Sequence, residues 1–158
     1  PVRYIEILEP IRVQDGDKSA ALLPCDRYEM RFEIDFPTPV IGNQVIDFVV
    51  DEDTFRTEIM AARTFGFAHE VEALRRAGLA RGGSLENAVV LDGETVLNPE
   101  GLRHPHECVN HKVLDAVGDL YTSGYRILGE LNAFKTGHFH NNQLLKVLFS
   151  DQSNYELV

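Results

Sequence analysis

The sequence predicts an α+β fold, a two-layer sandwich of a mixed or antiparallel sheet against helices. Three observations lead there. The first fifty residues alternate apolar and polar with a period of two, the second half carries helical periodicity, and no long βαβ alternation joins them. "VRYIEIL" reads as a first strand, "QDGDKS" as a turn, "SAALLPC" as a short apolar strand, and "YEMRFEIDF" as a clean alternation from Tyr28 to Phe36. The Pro/Gly connection 37–43 precedes the β-branched run "QVIDFVV". Asp53 then stands as the expected N-cap of a helix over "TFRTEIMAAR".

The unit about 64–97 is compact. "TFGF" leads into "AHEVEALRRAG", whose Val71, Leu74 and Ala77 suit a helix ended by Gly78. "RGGS" is a turn, and Asp92-Gly93 marks a hairpin. A helix follows from near Pro105 to "TSG", then the strand "YRILGELNAF", then "KTGHFHNNQLLKVLF" as a loop entering a final helix.

At 158 residues the chain fits a single domain with a real core. A net charge of −10 argues against a nucleic-acid surface or a polybasic membrane patch. Cys25 and Cys108 have no framework spacing, which argues against a disulfide scaffold and for a reducing, cytoplasmic compartment. Cys108 is expected to be a buried small apolar residue. No apolar run approaches the roughly 18 residues of a transmembrane helix. The chain opens "PVRYIEI", without Met and already in strand-like alternation, and so reads as a piece of a longer protein.

Chemistry concentrates in two segments. In "HECVNHKVLDAVGDLY", His111, Asp115 and Asp119 fall at about 0°, 40° and 80° on a helical wheel, beside a core face of Val109, Val113, Leu114, Val117 and Leu120. An imidazole and a carboxylate at i and i+4 lie over one another, close enough to share a metal, and both are natural zinc ligands. The same spacing also suits a plain surface pair, and Asp119 alone suits a solvated charge. The second segment, "AFKTGHFHNNQLLK", places His138 and His140 where a strand ends and a helix begins. Either could be loop decoration in front of a helix capped by Asn141 or Asn142. A carboxylate beside His138 would orient it as a general acid.

The segments "RHPHECVNHKVLDAVGDLYTSGY" and "GELNAFKTGHFHNNQLLKVL" resemble the C-terminal half of the UDP-3-O-acyl-N-acetylglucosamine deacetylases, zinc enzymes of lipid A (lipopolysaccharide) biosynthesis in Gram-negative bacteria. "VxDGDK", "IDF", "ARTFGF", "GLxxGGS" and "VLNxEGLR" occur in matching order, so the resemblance spans essentially the whole chain. It implies that His111 and Asp115 are two of three zinc ligands. Asp119 would partner the active-site histidine, His138, while His140 fills a variable position. Thr64 would place a hydroxyl near the scissile carbonyl. Lys112 and Lys135 would lie near the reacting end and the diphosphate of the substrate. Phe36 would stack on the uracil with Asp35 beside it, although a Phe ending an alternating strand also suits the core. Phe65, Phe67 and the Gly82-Gly83 turn would belong to an inserted βαβ unit, about 64–97, that forms the acyl-chain passage.

The resemblance also implies an absence. The third zinc ligand, a histidine, and the glutamate general base come from an N-terminal domain in this family, and no H-x-x-E-H or H-E-x-x-H stands in for them here. "AHEVE" contains His69-Glu70 but matches nothing catalytic. The expectation is therefore half of a zinc-dependent deacetylase acting on acylated UDP-N-acetylglucosamine, not competent without its N-terminal domain. The alternatives are a non-catalytic binding module for UDP-sugar, acyl chain or a regulatory protein, and a domain that merely folds.

Overall fold

The computed structural model describes residues 2–158. Among the described residues there are ten strands: β1 (Tyr4–Ile7), β2 (Ile11–Asp15), β3 (Lys18–Leu23), β4 (Tyr28–Asp35), β5 (Asn43–Val49), β6 (Thr64–Phe67), β7 (Ala88–Asp92), β8 (Thr95–Val96), β9 (Arg126–Phe134) and β10 (Tyr155–Leu157). The helices are α1 (Glu52–Thr54), α2 (Ala68–Arg76), α3 (Glu107–Tyr121) and α4 (His138–Leu148). Seven strands form the main sheet, and β6, β7 and β8 form a second, three-stranded one. Helices α3 and α4 pack on each other and on the main sheet, α3 over β4, β5 and β9 and α4 over β2 and β3. This is the two-layer α+β architecture expected.

Strand β9 organises the sheet. Its first residues pair parallel with β1, and its second half lies between antiparallel β3 and parallel β4. Alternation puts Ile127, Leu131 and Ala133 into the core, with Met30 of β4 opposite Leu131 and Phe32 opposite Ala133. Gly129 takes the remaining inward position because nothing larger fits: a Cβ there would meet Ile7 Cγ1 at 2.6 Å and the Leu23 carbonyl at 3.1 Å. From α3 the core receives Cys108, Val109, Val113, Ala116 and Leu120, while Leu114 and Val117 are only partly buried. Both cysteines are free thiols. Burial pushes the Cys108 thiol up to about 12, so it is packing rather than chemistry.

The inserted unit is a βαβ element, β6 and β7 parallel with α2 between them, extended by the Asp92-Gly93 hairpin to β8. One boundary differs from expectation. The N-cap of the helix after β5 is Asp51, not Asp53. Asp51 has an extended backbone, and its Oδ1 accepts the Thr54 N–H at 2.8 Å. One α turn later the chain widens into a π turn over Phe55–Ile59 and stops, so residues 61–63 are not helical. Among the described residues no helix is long and apolar enough to cross a membrane.

Candidate functional site

Helix α3 and the N-terminus of α4 meet edge to edge, and the polar stripe of α3 faces that junction. His111 Nδ1 donates to the Ala62 carbonyl at 3.0 Å. A carbonyl can only accept, so the proton sits on Nδ1 and Nε2 keeps a lone pair in the neutral ring. That Nε2 lies 3.3 Å from Asp115 Oδ1, and both side chains are largely shielded, 15% and 19% exposed. On the other side of Asp115, its Oδ2 lies 3.9 Å from His138 Nε2. His138 Nδ1 is 2.7 Å from Asp119 Oδ2, while the ring itself is 70% exposed. The order in space is His111, Asp115, His138, Asp119.

This arrangement fits part of a zinc site. A bare imidazole nitrogen facing a carboxylate oxygen presents two lone pairs to one point, which is favourable only with a cation or proton between them. The backbone bond at Nδ1 supplies the ring orientation a metal-binding histidine usually has. Yet among the described residues no group of three or more His, Cys, Asp or Glu side chains converges on a common point. His111 and Asp115 stand side by side as the expected pair.

The sequence reading passed over several participants. Asn141, almost wholly buried, donates from Nδ2 to Asp119 Oδ2 at 2.9 Å, so Asp119 is held from two sides. Its signal was the "NN" three residues after His138, one helical turn away. Neither Asn141 nor Asn142 caps α4. The cap is Gly137, and the His140 imidazole reaches back to accept the Gly137 N–H at 3.1 Å. Nε2 of His140 must then carry the proton, which it donates to Asp15 Oδ2 at 3.0 Å. His140 thus supports the loop that presents His138.

One cleft opens beside His138, and a second opens within the 64–97 unit. The first, about 410 Å³, is lined by Lys18, Asp35, Phe36, Lys112, Lys135 and His138, among others. Lys135 stands at the end of β9 in the left-handed region, with φ +56°, an uncommon conformation for a non-glycine residue. Its ammonium lies 3.3 Å from Asp17 and 3.4 Å from Asp35, and these carboxylates, Asp17 first, hold it above the ordinary lysine range. Lys112 behaves oppositely. Burial, with Lys18 adding repulsion, lowers its pKa, and Asp115 and Asp119 only partly offset this. Lys18 is a further cation of the cleft that the sequence reading did not single out.

The second cleft, about 500 Å³ and mainly apolar, runs between β6, α2 and β7. Thr64, Phe65, Val71, Leu74, Gly83 and Leu97 are among its walls. Phe67 does not line it. Instead Phe36, Phe65 and Phe67 form one aromatic cluster, Phe36 edge-on to Phe65 at 5.6 Å and tilted against Phe67 at 6.0 Å. Phe36 is half-buried there and keeps part of its surface on the cationic cleft.

The family model described as UDP-3-O-acyl N-acetylglycosamine deacetylase (LpxC) matches residues 1–150. A protein of Phenylobacterium zucineum named UDP-3-O-acyl-N-acetylglucosamine deacetylase is 57% identical over 148 residues, which is 94% of this chain and 50% of the relative. Proteins of the same name from Shewanella sp. (strain W3-18-1) and Shewanella baltica (strain OS155) are 52% and 51% identical over 100% of this chain and 52% of their own length. The chain spans about half the length of these curated relatives.

Proposed function

Since the chain belongs to the UDP-3-O-acyl N-acetylglycosamine deacetylase family, we propose that it supplies one half of a site that hydrolyses the N-acetyl group of UDP-3-O-acyl-N-acetylglucosamine, a cytoplasmic step of lipid A synthesis in Gram-negative bacteria. The observation carrying this reading is the row His111, Asp115, His138, Asp119, with the His138–Asp119 bond at 2.7 Å.

His111 Nε2 and the Asp115 carboxylate would hold zinc, joined by a third ligand from polypeptide outside this chain. Zinc, when bound, supplies Lewis acidity toward the amide carbonyl and water of lowered pKa, about 7. The remaining work belongs to side chains. Asp119 holds His138 through its Nδ1–H and orients the ring for a proton carried on Nε2. The Nε2 proton then stabilises the developing oxyanion and passes to the leaving amine. Thr64 and Lys112 would flank the carbonyl. Lys135 would meet the diphosphate, and Phe36 with Asp35 the uracil. Phe65 and Gly83, which line the apolar cleft, would bound the acyl chain, with Phe67 packed behind in the aromatic cluster, and the chain's remote binding energy positions the amide.

On this reading the general base also lies outside the chain, and losing one typically costs about 10²–10⁴-fold in rate. The chain alone, given zinc and the acylated UDP-sugar, is expected to release no measurable acetate. Turnover that disappears in His138→Ala would overturn the half-site reading.

A second reading, a non-catalytic binding module, is favoured by the clustering of Lys18, Lys112 and Lys135 with Phe36 in one cleft. On either reading UDP alone should shift backbone amide resonances around that cleft, and Phe36→Ala should abolish the shifts. Without any shift at about millimolar UDP, roughly the 4 kcal/mol level of affinity, nucleotide binding by this half is refuted.

A further inference from the structure

The first turns of α3 place Glu107, Asn110 and His111 at i, i+3 and i+4, on one face of the helix. All three side chains reach the same stretch of backbone, residues 58–63, which runs straight into Thr64. Asn110 Nδ2 donates to the Glu58 carbonyl at 3.0 Å, and His111 Nδ1 to that of Ala62 at 3.0 Å. Glu107 Oε1 accepts the Arg63 N–H at 3.0 Å. Arg63 closes the grip from the other side. Its Nε donates to Glu107 Oε1 at 2.8 Å, one terminal nitrogen to Glu107 Oε2 at 3.2 Å and to the Gly101 carbonyl at 2.8 Å, and the other pairs with Glu100. Glu107 Oε2 also accepts the Arg103 N–H at 2.7 Å, and Arg103 Nη1 donates to the Ala61 carbonyl at 2.9 Å.

Arg63 and Glu107 side chains are 3% and 1% exposed. Burial opposes ionisation of Glu107, yet the hydrogen bonds from Arg63 and from the Arg63 and Arg103 amides hold its carboxyl below the ordinary glutamate range. A buried ion pair is a poor source of stability, since a well-packed apolar pair often does as well or better. What this pair does supply is registry. Its hydrogen bonds fix the backbone on either side of Ala62, and nothing apolar could do that.

We infer that Arg63 and Glu107 are positioning residues, which hold the Ala62 carbonyl where it must accept the Nδ1 proton of His111 and thereby keep His111 Nε2 bare and turned toward Asp115. The same grip registers the inserted unit, beginning at Thr64, against the helix that bears the metal donors. The significance for zinc rests on the reading of His111 as a ligand. The effect on the ring does not.

The test uses this chain with ¹⁵N-labelled histidine and the variants Glu107→Gln and Arg63→Lys, with Val113→Ala as a core-weakened control that leaves the grip intact. Without metal, and at a pH high enough to leave the ring neutral, the imidazole spectra of the wild type and of Val113→Ala should show the one remaining His111 proton on Nδ1. Both grip variants should show an increased Nε2-protonated population. Zinc affinity should fall about 10–100-fold in the grip variants, the usual cost of losing such a partner, and far less in Val113→Ala. A wild-type His111 protonated at Nε2 would overturn the inference without any variant. So would grip variants that lose stability as Val113→Ala does but keep the wild-type tautomer. A tautomer that responds as expected in a chain that binds no zinc would leave the grip standing and refute the metal reading instead.

Discussion

Lys112 illustrates what burial does to a single charge. A methyl group placed on Gly137 would sit 3.6 Å from its ammonium, which has been drawn in between α3 and the start of α4. Burial, then Lys18, depresses its pKa in the folded state. The folded chain therefore gives up this proton more readily than the unfolded one. Below the depressed pKa the cost of the buried cation is fully present, and it is relieved as pH rises toward the unfolded value of 10.5. Urea unfolding should find Lys112→Met more stable than the wild type at neutral pH, with the gap narrowing as pH approaches 10.5. An unchanged gap would mean the lysine is not paying for burial. At this scale the sequence singled out His111, Asp115 and Asp119 by their spacing on one helix face. It did not reveal Asn141, Arg63 or Glu107, because their roles depend on burial and on partners 22 and 44 residues away.

Helix α3 and strand β9 are the elements that bring the site together, and each is there for a readable reason. The apolar stripe of α3 turns its polar stripe toward α4, and the alternation in β9 carries the chain to Lys135 and Gly137. The most exacting position is Gly129, where side chain and backbone crowd from two strands. Gly129→Ala should cost about 1–3 kcal/mol, as overpacking of a tight core does, read as a lower urea midpoint at unchanged slope. A neutral substitution would show that β1 can move aside. Elements of strong period and the Asp92-Gly93 turn were legible in the sequence. The parallel pairing of β1 with β9 and the last strand β10 were not, since pairing partners across more than a hundred residues leave no local signal. The cap at Asp51 was misplaced by two residues because both Asp51 and Asp53 precede a helical pattern. Only the backbone, extended at Asp51, separates them.

The whole molecule gathers two clefts, a cationic one and an apolar one, on either side of the aromatic cluster of Phe36, Phe65 and Phe67, with the His111 to Asp119 row beside the first. Under the proposed function, that layout would receive a substrate with a charged head, a reacting amide and a greasy tail. On the proposed reading, His111 and Asp115 would supply two metal donors, with a third from polypeptide outside the chain. The account therefore stands or falls on how this chain binds zinc by itself, measured by calorimetry on the wild type, His111→Ala and Asp115→Ala. It predicts one weak site, about micromolar or worse, lost in both variants, because two protein ligands cannot close a tetrahedral zinc centre. Binding that survives both substitutions, or none at all at millimolar zinc, would contradict it.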